Sequence, residues 1–216
     1  SDPTALKHKG LTYFYVDMKT PGIEAKPIKQ ISGSANFNEV FFNDVRIPDS
    51  QRIGAEGDGW KVSLTTLMNE RLAVGDPPGL DFDQIFEASK EIEVEDGLAV
   101  KNSEVRQKMA DWYIQSRGLQ YTKYRSMTAL SKGQTPGPEL SISKLVTASK
   151  MQDVSSYALD LMDMSGMVHQ DQNPILKNLF QNGYFFSAAM RIAGGTDEVL
   201  RNIIAERVLG LPQDER

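Results

Sequence analysis

The sequence predicts a mainly α protein, an up-and-down helical bundle preceded by a few antiparallel β-strands. Two observations carry that expectation. As far as Pro48 the apolar residues gather in short β-branched and aromatic runs, whereas from Gly59 onward they recur at helical spacing. The helical runs are long and their joints short and rich in glycine and proline, as antiparallel bundles require.

Residues 1–10 are polar and read as an exposed loop. Leu11–Asp17 reads as a strand, Thr20-Pro21-Gly22 as a turn, and Ile23–Lys29 as a second strand. Gln30–Ala35 is a loop, and Phe37–Ile47, closed by Pro48, is the strongest strand. Three strands do not close a barrel, so exposed edges and apolar surface are expected here. Trp60–Val74 follows as a helix with Trp60, Leu64, Leu67, Met68 and Leu72 at helical spacing, ended by Asp76-Pro77-Pro78-Gly79. Phe82–Glu95 reads as a weaker helix with a looped acidic end. Helices are then expected from Val105 to Lys132, from Leu140 or Ser141 to Met164, from Ile175 to Ile192, and from Thr196 to Val208. The domain boundary falls near residue 54, with strands over 1–54 and the bundle over 55–216.

The chain has 216 residues, of which 40% are hydrophobic and 25% charged, an ordinary globular balance that can bury a core. A net charge of -5 without a basic cluster argues against nucleic-acid binding. Cysteine is absent and the two histidines, His8 and His169, stand in unrelated contexts. Disulfides, thiolate chemistry, a zinc site and a histidine-based triad are therefore not expected. No apolar run reaches the ~18 residues of a membrane span and no signal-peptide pattern opens the chain, so a soluble cytoplasmic protein is expected.

One stretch invites a chemical reading. In Met190–Pro212 two adjacent glycines interrupt a helical pattern, and Thr196 and Asp197 then offer a helix cap. Such a turn exposes backbone N–H groups that could receive a ligand's polar edge; it could equally be a C-cap followed by an N-cap. On the Trp60 helix, Ser63, Thr66, Glu70 and Ala73 form a line of small side chains flanking one carboxylate, fit for a neighbouring helix or a flat ligand.

Three motifs resemble the acyl-CoA dehydrogenases, flavoproteins that desaturate acyl-CoA thioesters. The terminal GGTDEVLRNIIAERVLGLP resembles the family's C-terminal signature. Phe37-Asn38-Glu39-Val40-Phe41-Phe42-Asn43-Asp44-Val45-Arg46-Ile47-Pro48 resembles the strand leaving its central β-domain. Gly57-Asp58-Gly59-Trp60 leading to Asn69-Glu70-Arg71 resembles the entry into its first C-terminal helix. The resemblance implies the C-terminal half of a longer protein, FAD as cofactor, an acyl-CoA as substrate, an electron-transfer flavoprotein as acceptor, and a homodimer or homotetramer, with a heteromer also open. It implies Glu70 as the base that removes the α-proton, because the alternative family position, directly before Gly-Thr, is Gly194 here. The other reading of Glu70 is an exposed, ion-paired carboxylate. Arg71 and Thr66 would lie near the thioester, although Arg71 could instead pair with Asp111 or Glu198. Gly194, Gly195 and Thr196 would border the flavin, as would Gly166, the one glycine kept from the family's G-G-x-G loop. The family's R-x-x-F-G motif has no counterpart in Glu91–Gly97. Diverged cofactor contacts or a mixed oligomer that binds FAD asymmetrically would each accommodate that departure. The residues Met162, Met164, Met167, Phe180, Phe185 and Phe186 read as core before they read as an acyl pocket.

Overall fold

The structure, a computed structural model, describes residues 1–73, 80–134, 137, 140–168 and 175–213. The chain forms two compact units, Ser1–Pro77 and Pro78–Arg216.

In the first unit the strands are shorter than their sequence runs. Strand β1 (Tyr13–Phe14) pairs with β4 (Arg52–Ile53), and β2 (Ile23–Ile28) pairs with β3 (Phe37–Phe42), both antiparallel. The run expected to reach Ile47 stops at Phe42 because Asp44 takes a left-handed conformation (φ 51°), which ends the ladder. The Thr20–Ile23 turn forms as expected, with Ile23 N donating to Thr20 O at 3.1 Å. The β2–β3 ribbon leaves Phe37, Val40, Phe41 and Phe42 exposed, the apolar surface anticipated for an incomplete sheet. Helix α1 (Gly59–Ala73) begins where Gly59 N donates to Leu11 O at 2.8 Å, and the His8 ring stacks on Trp60 at 4.0 Å. Trp60, Leu64 and Leu67 remain exposed; the side chains of Met68 and Leu72, the rest of that stripe, lie outside the described residues.

The second unit is the bundle. Helix α2 (Phe82–Ser89) starts with a reciprocal capping box in which Asp81 caps the helix and Gln84 reaches back to the Asp81 N–H. The acidic segment after it is not a continuation of the helix. It forms a small hairpin, β5 (Glu93–Val94) with β6 (Gly97–Leu98), joined through Glu95 and Asp96. Helix α3 (Ser103–Ser131) is capped by Asn102, whose side chain accepts from the Glu104 and Val105 amides. Helix α4 (Leu140–Leu161) ends before the expected Met164, since Asp163 has φ 49°, and one turn, α5 (Met164–Met167), follows. Helix α6 (Ile175–Met190) and helix α7 (Asp197–Ile203) complete the unit, α7 running into a single π turn at Ile204–Val208. No described helix is long and apolar enough to cross a membrane.

The core is built between α2, α3, α4 and α6 from Ile85, Val105, Met109, Trp112, Met151, Val154, Ala158 and Phe180. Helix α4 runs antiparallel to α3: Trp112 Nε1 donates to Asp153 Oδ2 at 2.9 Å, and one turn later in α3 Ser116 meets Lys150, one turn earlier in α4. It also runs against α6, where a Cβ on Gly183 would overlap the Leu80 and Ser155 side chains, which would have to shift to admit it. Phe180 belongs to the core and Met162 packs against it, whereas Met164, Met167, Phe185 and Phe186 are exposed.

A buried ammonium joins three elements. The Lys150 side chain is 2% exposed, and its Nζ donates to Asp81 Oδ1 and to Ser116 Oγ, each at 2.8 Å. Burial pushes the Asp81 carboxyl upward, but hydrogen bonds from Lys150, from Ser116 and from the Phe82 amide outweigh it and hold its pKa below the ordinary 3.8. A depressed carboxylate pKa gives stability that is present above 3.8 and is lost as the pH falls through the lower folded value. Asp81→Asn is therefore expected to lower the melting temperature by about 5 °C at pH 7. At pH 3 the difference from wild type is expected to shrink, as followed by circular dichroism.

Candidate functional site

The glycine turn is built from both of its ends. Helix α6 closes with Arg191 N donating to Ser187 O and Ala193 N donating to Ala189 O. Gly194 (φ 69°) and Gly195 (φ 109°) then reverse the chain, a pair of conformations that L side chains rarely adopt. Thr196, with extended ψ of 159°, caps α7, its Oγ1 accepting from Val199 N at 3.3 Å. Behind the turn lies Leu200, almost fully buried. A Cβ on Gly195 would come within 3.3 Å of Leu200 Cδ2, while around Gly194 nothing lies within 4 Å of that position. The outer face of the turn is thus open.

Charged side chains hold the inner face. Of the two residues expected to cap the helix, Thr196 does so, while the Asp197 side chain turns inward, the residue being 2% exposed. Arg191 Nε donates to Asp197 Oδ2 at 2.6 Å, and the same guanidinium reaches Gln152 Oε1 on α4 at 2.8 Å. Lys144, also on α4, donates from Nζ to Gly195 O at 2.6 Å and stands 3.8 Å from Asp197 Oδ1. Burial lowers the Lys144 pKa; Asp197 and Glu198 act against that and the Arg191 charge with it. The sequence reading missed Lys144, Gln152 and Arg191. The signal available was the pair of opposite charges, Arg191 and Asp197, placed on either side of the two glycines.

The remaining predicted residues lie elsewhere. Gly166 is buried where α5 returns against α4; a Cβ there would overlap the Leu159 carbonyl, and its own carbonyl accepts from Gln181 Nε2 at 2.7 Å. The fold itself therefore accounts for glycine at this position. Thr66, Glu70 and Arg71 share α1 in the first compact unit. Thr66 is exposed and its Oγ1 donates to Val62 O at 3.2 Å. The side chains of Glu70 and Arg71 lie outside the described residues. A separate open groove of about 470 Å³ at the end of α3 is lined by Tyr121, Tyr124, Arg125, Thr128, Lys132 and Gln134. It includes none of the predicted site residues.

Residues 57–209 match the family described as "Acyl-CoA dehydrogenase, C-terminal domain". The chain is 34% identical over 215 residues to Acyl-CoA dehydrogenase FadE34 of Mycobacterium tuberculosis, covering 99% of this chain and 28% of that protein. It is 34% identical over 211 residues to Acyl-CoA dehydrogenase IpdE1 of the same organism, covering 97% of this chain and 53% of that one. The chain thus spans about half, or less, of the length of these relatives. Among solved structures, the one titled "Tcur3481-Tcur3483 steroid ACAD" superposes with a TM-score of 0.81 at 20% identity, over 99% of this chain and 55% of that chain. At that identity the likeness speaks for the fold.

The two glycines of the turn differ in what a methyl group would meet. Gly194→Ala is expected to cost about 1 kcal/mol of backbone strain. Gly195→Ala is expected to cost at least about 2 kcal/mol, since its φ is less accessible to alanine and its Cβ crowds Leu200. Urea unfolding of the two variants, compared at equal slope, checks the order.

Proposed function

Because the chain belongs to the acyl-CoA dehydrogenase family, we propose that the protein takes part in FAD-dependent α,β-dehydrogenation of an acyl-CoA thioester. The observation that carries this reading is the family match over residues 57–209, which spans both α1 and the Gly194–Thr196 turn. It also supports a boundary near residue 55 between the end of a β-domain and a helical domain.

The turn fits a flat group such as a flavin: the position a side chain would fill at Gly194 is open, and the backbone is fixed from behind by Lys144 and Leu200. Gly194, Gly195 and Thr196 would border the ring. Bound FAD supplies the acceptor for the hydride that leaves the β carbon, with an electron-transfer flavoprotein as the onward acceptor. Glu70 is assigned the complementary half of the reaction, in which its carboxylate takes the α-proton as the double bond forms. A carboxylate suits that role in a site closed to water, where burial raises its proton affinity toward neutrality. The family's other position for the base, directly before Gly-Thr, is Gly194 here, which has no side chain to offer. Thr66 and Arg71 would orient the thioester from the same helix.

The bundle is assigned a role in subunit association as a homodimer or homotetramer. Tyr121, Met127 and Leu130 on the second half of α3 are exposed in this chain, and large apolar side chains of that kind are often covered in assemblies. A second reading makes the chain part of a non-catalytic partner subunit. It is favoured by the two-component title of the structural match.

The test compares the full-length protein with its Glu70→Gln variant, each purified with FAD and mixed with a panel of acyl-CoAs without oxygen. Bleaching of the visible flavin band in wild type alone, with FAD and ligand still bound by the variant, is the expected result. Equal bleaching in both removes Glu70 from the reaction. A wild type that binds FAD weakly, or does not bleach with any thioester, favours the partner-subunit reading.

A further inference from the structure

We propose that Lys144 and the Arg191–Asp197 pair act as a latch through which α4 sets the peptide plane that follows Gly195, making Lys144 a positioning residue for the turn. The inference rests on the reading above, in which that turn borders the flavin.

The geometry fixes the turn at three points. Arg191 and Asp197 stand on either side of Gly194 and Gly195, so their bond closes the loop around both glycines. The guanidinium is then tied to α4 through Gln152, and the Gly195 carbonyl is tied to α4 through Lys144. Lys144 and Gln152 are eight residues apart, a rise of about 12 Å along one helix, which braces the turn against rotation. A charge-assisted hydrogen bond of 2.6 Å to a backbone oxygen is among the strong kinds, and it acts where the backbone has no side chain to steady it.

Two observations separate this role from ordinary stabilisation. Asp197 Oδ1 is buried and has no hydrogen-bond partner among the described residues, yet Lys144 stays 3.8 Å away from it and bonds the Gly195 carbonyl instead. The short bond of the ammonium thus goes to the backbone carbonyl, and its contact with the acid is the longer, ionic one. In addition, burial lowers the Lys144 pKa, so the ammonium is held at the turn against a desolvation cost. The consequence is a defined direction for the Gly195 carbonyl and for the amide that follows, which set the edge of the turn.

Lys144→Met keeps the length and apolar stem while removing the donor, and Lys144→Arg restores a cationic donor. Hydrogen–deuterium exchange of the segment 192–198 reads the turn without any cofactor. FAD dissociation and the visible flavin spectrum read its consequence in the full-length protein. In Lys144→Met the segment is expected to exchange about tenfold faster and FAD to dissociate about tenfold more readily, as loss of one charge-assisted bond implies. The melting temperature should stay within a degree or two of wild type, and Lys144→Arg should recover most of both effects. Wild-type exchange and wild-type flavin affinity in Lys144→Met would overturn the proposal, as would loss of both together with a large fall in melting temperature, which marks a purely structural lysine. Faster exchange with an unchanged spectrum and affinity would overturn the link to the cofactor. A wild type that holds no FAD refutes the functional reading instead, and the exchange data then still decide whether the latch exists.

Discussion

A charged nitrogen can leave water only where acceptors surround it, and α4 carries two such nitrogens into the bundle. Lys150 finds its acceptors on Asp81 and Ser116, before α2 and in α3, and Lys144 finds its acceptor at Gly195, after α6. Among the described residues no acceptor comes from α4 itself. The desolvation penalty therefore specifies which segments must gather around this helix, where hydrophobic burial alone would accept several arrangements. Trp112, fully buried, adds a third polar tie through Asp153.

The turn after α6 takes its form from that arrangement. Two successive residues with positive φ have no intrinsic preference for one geometry when both are glycine. Their conformation is imposed from outside, by the Arg191–Asp197 closure, by the Lys144 donor and by Leu200 beneath. Leaving the outer face bare while fixing the inner one is the physical requirement for a backbone edge that meets a planar ligand.

Much of the architecture could be read from residues near one another in sequence. The cap Thr196 and the Thr20-Pro21-Gly22 turn act over four residues or fewer, so their chemistry is local and legible; the Asn102 cap and the Asp81 capping box are as local, though only the structure brought them out. The lengths of strands and helices were less so. Phe37–Ile47 has uniform β character, yet β3 stops at Phe42, and α4 gives way before Met164; in both cases a non-glycine residue, Asp44 or Asp163, enters a left-handed conformation that propensity does not foresee. The β5–β6 hairpin was hidden because Glu93-Val94-Glu95 alternates over too few residues to stand out from a helix end. Of the site, the glycines and Thr196 were legible through the turn signal. Lys144 and Gln152 were not, since each is an ordinary polar residue on a long helix, distant in sequence from the turn.

The sequence by itself determined the class of the protein: the switch from strand to helical periodicity at Gly59, the caps, and the Gly-Gly-Thr motif of a known family. These are properties of short windows, where backbone conformation and side-chain chemistry are coupled through adjacent atoms. Only the tertiary structure decided that Asp197 turns inward, that Gly166 and Gly183 are closely packed, and that α4 supplies a donor, Lys144, and an acceptor, Gln152, behind the turn. Those outcomes depend on which distant groups share a buried volume, and the desolvation of a charge or the overlap of a Cβ is defined only once the volume is closed.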